Sequence, residues 1–186
     1  RQAKKRGVQV TAEVTPQHLI LTDEALRTFE TRYKVNPPIR SEEHRAACVA
    51  GLQDGTIDAV VTDHAPHEWE EKDQEFNLAP SGFVGLETSV GAMLTYMYHT
   101  GHIDLMTLVN AMSTAQAKIL GLDAGVIAPG KDADLTVLDL DKEWTVDSSK
   151  FYSKGKASPF DEMIFKGKAA ATIVNGEIVM KNGEVL

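Results

Sequence analysis

Within five residues, Asp63-His64-Ala65-Pro66-His67 brings together one carboxylate and two imidazoles. Such a set suits metal-assisted hydrolysis. Zinc lowers the pKa of a water it binds to about 7, and a neighbouring carboxylate can exchange a proton with that water. The preceding residues 57–62 (IDAVVT) form a short β-rich run, so Asp63 falls at the C-terminal exit of a strand, the edge at which parallel α/β folds bind ligands. Spacing alone leaves a second reading open, in which Asp63 is a loop or cap carboxylate. Pro66 is expected to fix the turn that sends His67 back across the site, and His64 to pack or hydrogen-bond behind it.

The other histidines carry less. His18 follows Thr15-Pro16-Gln17 at the exit of a second β-rich run, on the correct edge but alone. His44 is expected on a solvated helix face, and His99 and His102 near a helix end, where a cation complements the dipole. Cys48 sits among apolar helix residues and behaves as a small hydrophobe. No glycine-rich phosphate loop and no serine nucleophile elbow has the required strand–turn–helix context, because Gly82, Gly85 and Gly91 follow no strand at the right spacing. A metal site needs three or four protein ligands, and this chain offers one convincing candidate.

The elements that must position these residues can be read in order. Residues 1–7 (RQAKKRG) look like the last turns of a helix, with basic residues at its negative end and Gly7 at the C′ position, so the sequence is expected to start inside a fold. Residues 8–14 (VQVTAEV) alternate with period two and predict a strand. Ser41 as N-cap, Glu42 and Glu43 in the first turn and an apolar face through Leu52 predict a helix that stops at Asp54-Gly55. Residues 57–62 complete a strand–helix–strand crossover. Residues 68–85 read as a long polar loop whose Glu70-Glu71-Lys72-Asp73 run is simply solvated. Helices are predicted over 87–99 and 104–112, with a further one capped by Ser113-Thr114 and ending at Leu120-Gly121.

Beyond Gly125 the pattern changes to short strands at 134–140, 143–146, 163–165 and 172–180, the last broken by the Asn175-Gly176 turn. The expected organisation is an α/β part over residues 1–124 and a small β-domain over 125–186. Composition bounds the rest. With 19 Lys and Arg against 27 Asp and Glu the formal charge is −8, which leaves no basic surface for a phosphate backbone and disfavours nucleic acid as a partner. At 42% hydrophobic and 25% charged, the chain can bury a core and is not a disordered or collagen-like sequence. One cysteine makes no internal disulfide, and no apolar run approaches the roughly 20 residues that cross a bilayer. The expected location is the cytoplasm, without a membrane partner.

Several motifs together carry a family resemblance. Thr11-Ala12-Glu13-Val14-Thr15-Pro16, Tyr33-Lys34-Val35-Asn36-Pro37-Pro38-Ile39-Arg40, Asp54-Gly55-Thr56-Ile57-Asp58 and Thr62-Asp63-His64-Ala65-Pro66-His67 are similar to the C-terminal half of class I dihydroorotases. So are Ala79-Pro80-Ser81-Gly82-Phe83-Val84-Gly85-Leu86-Glu87-Thr88, Gly130-Lys131-Asp132-Ala133-Asp134-Leu135 and the final hairpin. The match spans essentially all 186 residues, and the order of the motifs is more specific than any one of them.

The resemblance implies the C-terminal part of a TIM-type (β/α)8 metal-dependent hydrolase barrel with part of a small β-sandwich built from both chain ends. The implied reaction interconverts N-carbamoyl-L-aspartate and dihydroorotate in pyrimidine synthesis. By position, Asp63 would bind zinc and shuttle the proton between the attacking hydroxide and the leaving nitrogen. Asn36 and His67 would hydrogen-bond the substrate, and the backbone around Ala79, Ser81 and Gly82 would clamp its flat ring, since glycine lets main chain approach closely. Two zinc ions per complete site are implied, as is a homodimer able to assemble with aspartate transcarbamoylase.

This sequence departs from the family at Gln17-His18, where many relatives carry adjacent histidines, so neither is assigned as a ligand. The family's remaining metal ligands belong to segments before Arg1, and the chain alone is expected to be inactive. Other cyclic amidohydrolases, a dihydropyrimidinase or an allantoinase, are the rival enzymes. Ala65-Pro66-His67 favours dihydroorotase over them. A non-catalytic dihydroorotase-like subunit is the rival from another class, and retention of Asp63, His67 and Asn36 argues against it.

Overall fold

The computed structural model describes residues 1–186. Helix α1 (Gln2–Lys5) has Lys4 and Lys5 in its last turn and Gly7 at φ +76 just past it, as the basic end and the glycine predict. The strand expected over residues 8–14 contracts to β1, Glu13–Val14. Val8 and Val10 are 49% and 45% exposed. A period-two pattern becomes a strand only where a neighbour supplies a ladder, and here the neighbour gives out early. The Ala12 carbonyl still accepts from the amides of Asp58 and Ala59 at 2.8 and 3.3 Å, but its amide donates to the Asp58 carboxylate at 2.8 Å, so a side chain ends the ladder on that side.

Helix α2 (Pro16–Ile20) starts at Thr15, whose hydroxyl accepts from the His18 amide, with proline at the first position where its missing N–H is harmless. Two 3-10 turns follow, Asp23–Thr28 and Thr31–Tyr33. Helix α3 (Glu42–Gln53) ends at Asp54 with Gly55 at φ +72, where the sequence places its stop. Its N-cap differs in detail, because the Ser41 hydroxyl meets the His44 ring at 2.8 Å instead of a backbone N–H. Strand β2 (Ala59–Val60) then pairs parallel with β1 in the register Glu13↔Ala59 and Val14↔Val60. The predicted strand–helix–strand order is therefore present, with both strands shorter than their apolar runs.

The stretch expected to be a solvated loop contains helix α4 (Trp69–Lys72). Its Lys72 is 3% exposed, which corrects the reading of the charge run as wholly solvated. Helix α5 (Ser89–Met93) continues as a wider turn through Leu94–Tyr98. Helix α6 (Leu105–Val109), capped by the Asp104 carboxylate on the Thr107 amide, passes through a second wide turn at Asn110–Thr114 into α7 (Ala115–Leu120). The break expected at Ser113-Thr114 is absent, and the Thr114 hydroxyl instead donates to the Gly125 carbonyl at 2.9 Å. Gly121, at φ +68, ends α7 as expected.

Four antiparallel strands follow in the order β3-β4-β5-β6: Leu135–Thr145, Ile164–Val174, Glu177–Lys181 and Glu184–Val185. The two strands predicted before residue 147 are one, interrupted by a register shift between Asp139 and Glu143, and those predicted at 163–165 and 172–174 likewise join in β4. Asn175 and Gly176, at φ +51 and +82, make the predicted turn, and Asn182-Gly183 at +54 and +91 makes a second.

Leu19, Met93, Leu94 and Met97 lie at the centre of the larger apolar cluster under β1 and β2. A second cluster joins α5 to the sheet. Phe165 of β4 is fully buried and meets Tyr96, Trp144 and Phe160 edge-on at 5.5–5.9 Å, geometry that the ring quadrupole favours. Gly91 permits this approach, since a Cβ there would stand 2.7 Å from the Phe165 ring. No helix is long and apolar enough to cross a membrane.

Candidate functional site

Two segments lie face to face just beyond β2. The first runs from Thr62 to His67, the second from Ala79 to Gly85. They are laced by the Ala65 amide donating to the Phe83 carbonyl at 3.1 Å and by the amides of Gly85 and Leu86 reaching His64 Nδ1 at 3.2 and 3.4 Å. With both amides aimed at it, Nδ1 acts as acceptor, and His64 is a structural brace as expected. The approach requires glycine. A Cβ on Gly82 would meet Ala65 atoms at 2.8 Å and His67 Nε2 at 3.0 Å, and one on Gly85 would meet the Thr62 carbonyl at 2.9 Å.

His67 bridges the two segments, its Nε2 3.0 Å from the Ser81 carbonyl and its Nδ1 3.2 Å from the Glu71 carboxylate. Behind the second segment two lysines are inserted. Lys34 Nζ donates to the carbonyls of Phe76, Asn77 and Ala79 at 2.6, 3.2 and 2.6 Å, and Lys72 Nζ to those of Pro80 and Gly82 at 3.0 and 2.9 Å. Burial, and then the nearby Lys34 charge, pull Lys72 down from 10.5 to about 8. The Gly82 amide is taken by the Lys34 carbonyl at 2.9 Å and the Ala79 amide by the Glu75 carbonyl at 3.0 Å. Of this segment's hydrogen-bonding groups, the Ser81 amide and hydroxyl make no bond within the chain and stand exposed.

Asn36 and Ser81 line one cavity of about 360 Å³, with Tyr33, Lys34, Ile39 and Phe76 among its walls. The Asn36 side chain is exposed. His18 holds this wall in place from below. Its Nε2 reaches the Pro37 carbonyl at 2.9 Å and its Nδ1 the Thr15 hydroxyl at 2.6 Å, a structural use of the lone imidazole at that strand exit.

Asp63 lies three residues past β2, at φ +51, with its side chain exposed and joined by no hydrogen bond or ion pair to any group of the chain. The left-handed backbone suits Asp better than most residues. His67, Ser81 and Gly82 are thus brought into direct contact, Ala79 joins them through Lys34, and Asn36 shares a cavity with Ser81. Asp63 is linked to the group only through its own segment and does not line that cavity. An exposed carboxylate with no partner at a strand exit fits one ligand position of a divalent metal. No cluster of three or more His, Cys, Asp or Glu side chains surrounds it.

Sequence reasoning passed over Lys34, Lys72 and Glu71. The only trace of Lys72 was its place in a charge run, which normally marks a solvated face. What singles it out is the pair of backbone carbonyls it serves, one part-buried and one buried, and these lie 8 and 10 residues away. Glu87 was also passed over. Its carboxylate accepts from the amides of Tyr152 and Ser153 at 3.0 and 3.1 Å and ties the residues after the second segment to the β-rich tail.

Residues 2–179 match the amidohydrolase family. The chain is 46% identical over 186 residues to the dihydroorotase of Acetivibrio thermocellus, covering 100% of this chain and 44% of that protein. It is 51% identical over 179 residues to the dihydroorotase of Citrifermentans bemidjiense, covering 96% and 42%. Among solved structures it superposes on the L-hydantoinase (dihydropyrimidinase) from Arthrobacter aurescens with a TM-score of 0.95 and 38% identity, over 100% of this chain and 42% of that one. The chain therefore spans less than half the length of the curated relatives it matches, and its fold is an α/β amidohydrolase fold.

Proposed function

The chain belongs to the amidohydrolase family, and from that premise we propose that it is the C-terminal part of a dihydroorotase, which closes N-carbamoyl-L-aspartate to (S)-dihydroorotate and reopens the ring. The observation that carries this reading is the identity of 46–51% to dihydroorotases along nearly the whole chain, against 38% to the L-hydantoinase. The same proposal makes residues 1–124 part of a (β/α)8 barrel and residues 125–186 part of a composite β-sandwich. It also includes a cytoplasmic homodimer holding two zinc ions per complete site.

In ring opening, water adds to the ring amide carbonyl, the C–N bond breaks and the nitrogen takes a proton. Asp63 is the residue that would hold zinc, which supplies a Lewis acid and makes hydroxide available at neutral pH. The Asp63 carboxylate takes the proton lost by the attacking water and returns it to the leaving nitrogen, so one side chain closes the proton balance. Asn36 and the free amide and hydroxyl of Ser81 orient the substrate's polar edge. His67 contributes by holding Ser81, and a substrate oxygen that reaches its Nε2 must share the hydrogen directed at the Ser81 carbonyl.

The test is a substrate panel on the full-length protein with dihydroorotate, carbamoyl-aspartate, hydantoin, dihydrouracil and allantoin. Turnover confined to the first two, abolished by a chelator and restored by zinc, is the expected result. Preference for hydantoin, dihydrouracil or allantoin would move the assignment to another cyclic amidohydrolase, and no turnover by zinc-loaded protein to a non-catalytic subunit. The 186-residue chain by itself is expected to be inactive.

A further inference from the structure

We propose that Lys34 and Lys72 are positioning residues whose ammonium groups hold the main chain of residues 76–82 in the shape that presents Ser81 to the ligand. The identity of that ligand rests on the dihydroorotase reading; the geometry does not.

The segment has no ladder of its own. Carbonyls turned inward from the surface need donors, and an orphaned one is destabilising. Of the five contacts the two lysines make with this segment, one is buried, three are part-buried and one, to Asn77, is exposed. Here five of the seven carbonyls between Phe76 and Gly82 converge on two Nζ atoms: three on Lys34 and two on Lys72. A sixth, that of Ser81, goes to His67. Neither ammonium is paired with a carboxylate. Burial, and then the Lys34 charge, lower Lys72 to about 8, as befits an ammonium enclosed without a carboxylate partner.

Peptide planarity converts this into a direction. The Pro80–Ser81 peptide is trans, so when the Pro80 carbonyl points at Lys72 Nζ the Ser81 N–H in the same plane points the opposite way. That N–H makes no bond within the chain and, unlike the amides of Ala79 and Gly82 on either side of it, is left for a ligand. Lys72 is itself anchored, since its carbonyl accepts from the Thr31 hydroxyl at 2.5 Å. Lys34 lies two residues before Asn36, and its own carbonyl accepts the Gly82 amide at 2.9 Å. One stretch of chain therefore fixes both walls of the cavity shared by Asn36 and Ser81.

The experiment uses the full-length protein with Lys34→Met, Lys72→Met, Lys34→Arg and, in case Lys72→Met does not fold, Lys72→Gln, which keeps a donor. Two quantities are read: amide hydrogen exchange of the peptide covering residues 76–83, and steady-state kinetics with dihydroorotate. The Met variants are expected to exchange at least about tenfold faster in that peptide while β3 and β4 are unchanged. KM is expected to rise about tenfold with kcat within about threefold, the signature of lost ligand binding. Lys34→Arg is expected to recover most of the loss. Unchanged exchange in residues 76–83, or faster exchange throughout the protein with kcat and KM failing together, overturns the proposal. Local loosening in a protein whose wild type ignores dihydroorotate upholds the positioning role and rejects the substrate.

Discussion

His67 Nε2 lies 3.0 Å from the Ser81 carbonyl while the Nδ1 of the same ring lies 3.2 Å from the Glu71 carboxylate. Both partners are acceptors only, so the ring serves both at once only with a hydrogen on each nitrogen; with one hydrogen it serves one. The residue that the motif marks for substrate contact is thus also the bolt between the exit of β2 and the facing segment.

Replacing His67 separates those roles. In His67→Ala the Ser81 carbonyl loses its donor, and KM for dihydroorotate is expected to rise about tenfold or more, a loss of order 1–2 kcal/mol typical of one hydrogen bond. His67→Gln retains a donor to Ser81 and is expected to fall between the two. Steady-state kinetics on the full-length protein checks the order, and equal KM values for wild type and His67→Ala would dismiss the contact.

Gly82 tests the close approach. At φ +127 it occupies a conformation L side chains rarely adopt, and its added Cβ would meet Ala65 backbone and side-chain atoms at 2.8 Å. Gly82→Ala is expected to lower unfolding stability by about 2–4 kcal/mol from strain plus overpacking. Gly7→Ala, also at positive φ but with no atom within 4 Å, is expected to cost only about 1 kcal/mol. Urea midpoints of the full-length variants give the comparison.

What could be read beforehand follows from where the information sits. The α3 stop at Asp54-Gly55 and the Asn175-Gly176 turn are set by residues adjacent in sequence and stand where the pattern places them, and Asp63 follows a strand that ends at Val60, two residues earlier than its β-rich run. The second hairpin at Asn182-Gly183 carried the same dipeptide signal and was passed over beside the first. Strand length was overestimated at Val8 and Val10 because pairing is a property of the neighbouring strand, not of the alternation. Lys72 was illegible for a related reason. Its burial is decided by carbonyls brought to it by the chain's return after Pro80.

Asp63 is suited to a clean substitution because its backbone and its chemistry can be separated. Asn tolerates the left-handed region as Asp does, whereas Ala adds about 1 kcal/mol of strain at φ +51. Asp63→Asn in the full-length protein is expected to leave unfolding stability within about 0.5 kcal/mol. Loss of the proton carrier is expected to lower kcat by about a thousandfold or more. Retention of kcat within tenfold would remove Asp63 from the reaction.

Lys72 makes stability depend on alkaline pH, and the sign follows from its lowered value. Between about 8, its folded value, and 10.5, its ordinary one, the unfolded chain binds more protons than the folded chain, so stability rises with pH across that window. The gap between the two values sets a ceiling of about 3 to 4 kcal/mol. The charged groups facing Lys72 are Lys34, its α4 neighbour Glu71, and Glu30, Arg32, Asp73, Lys156 and Asp161 around the adjoining cleft. Tyr96, raised by burial, acts in the opposite direction above about pH 10, so the difference between wild type and Lys72→Met isolates the lysine. Urea unfolding of the full-length protein at pH 7, 8.5 and 9.5 is expected to show the wild type gaining on the variant as pH rises. Parallel pH curves would mean that Lys72 keeps an ordinary pKa and that the carbonyls of Pro80 and Gly82 solvate its charge as well as water does.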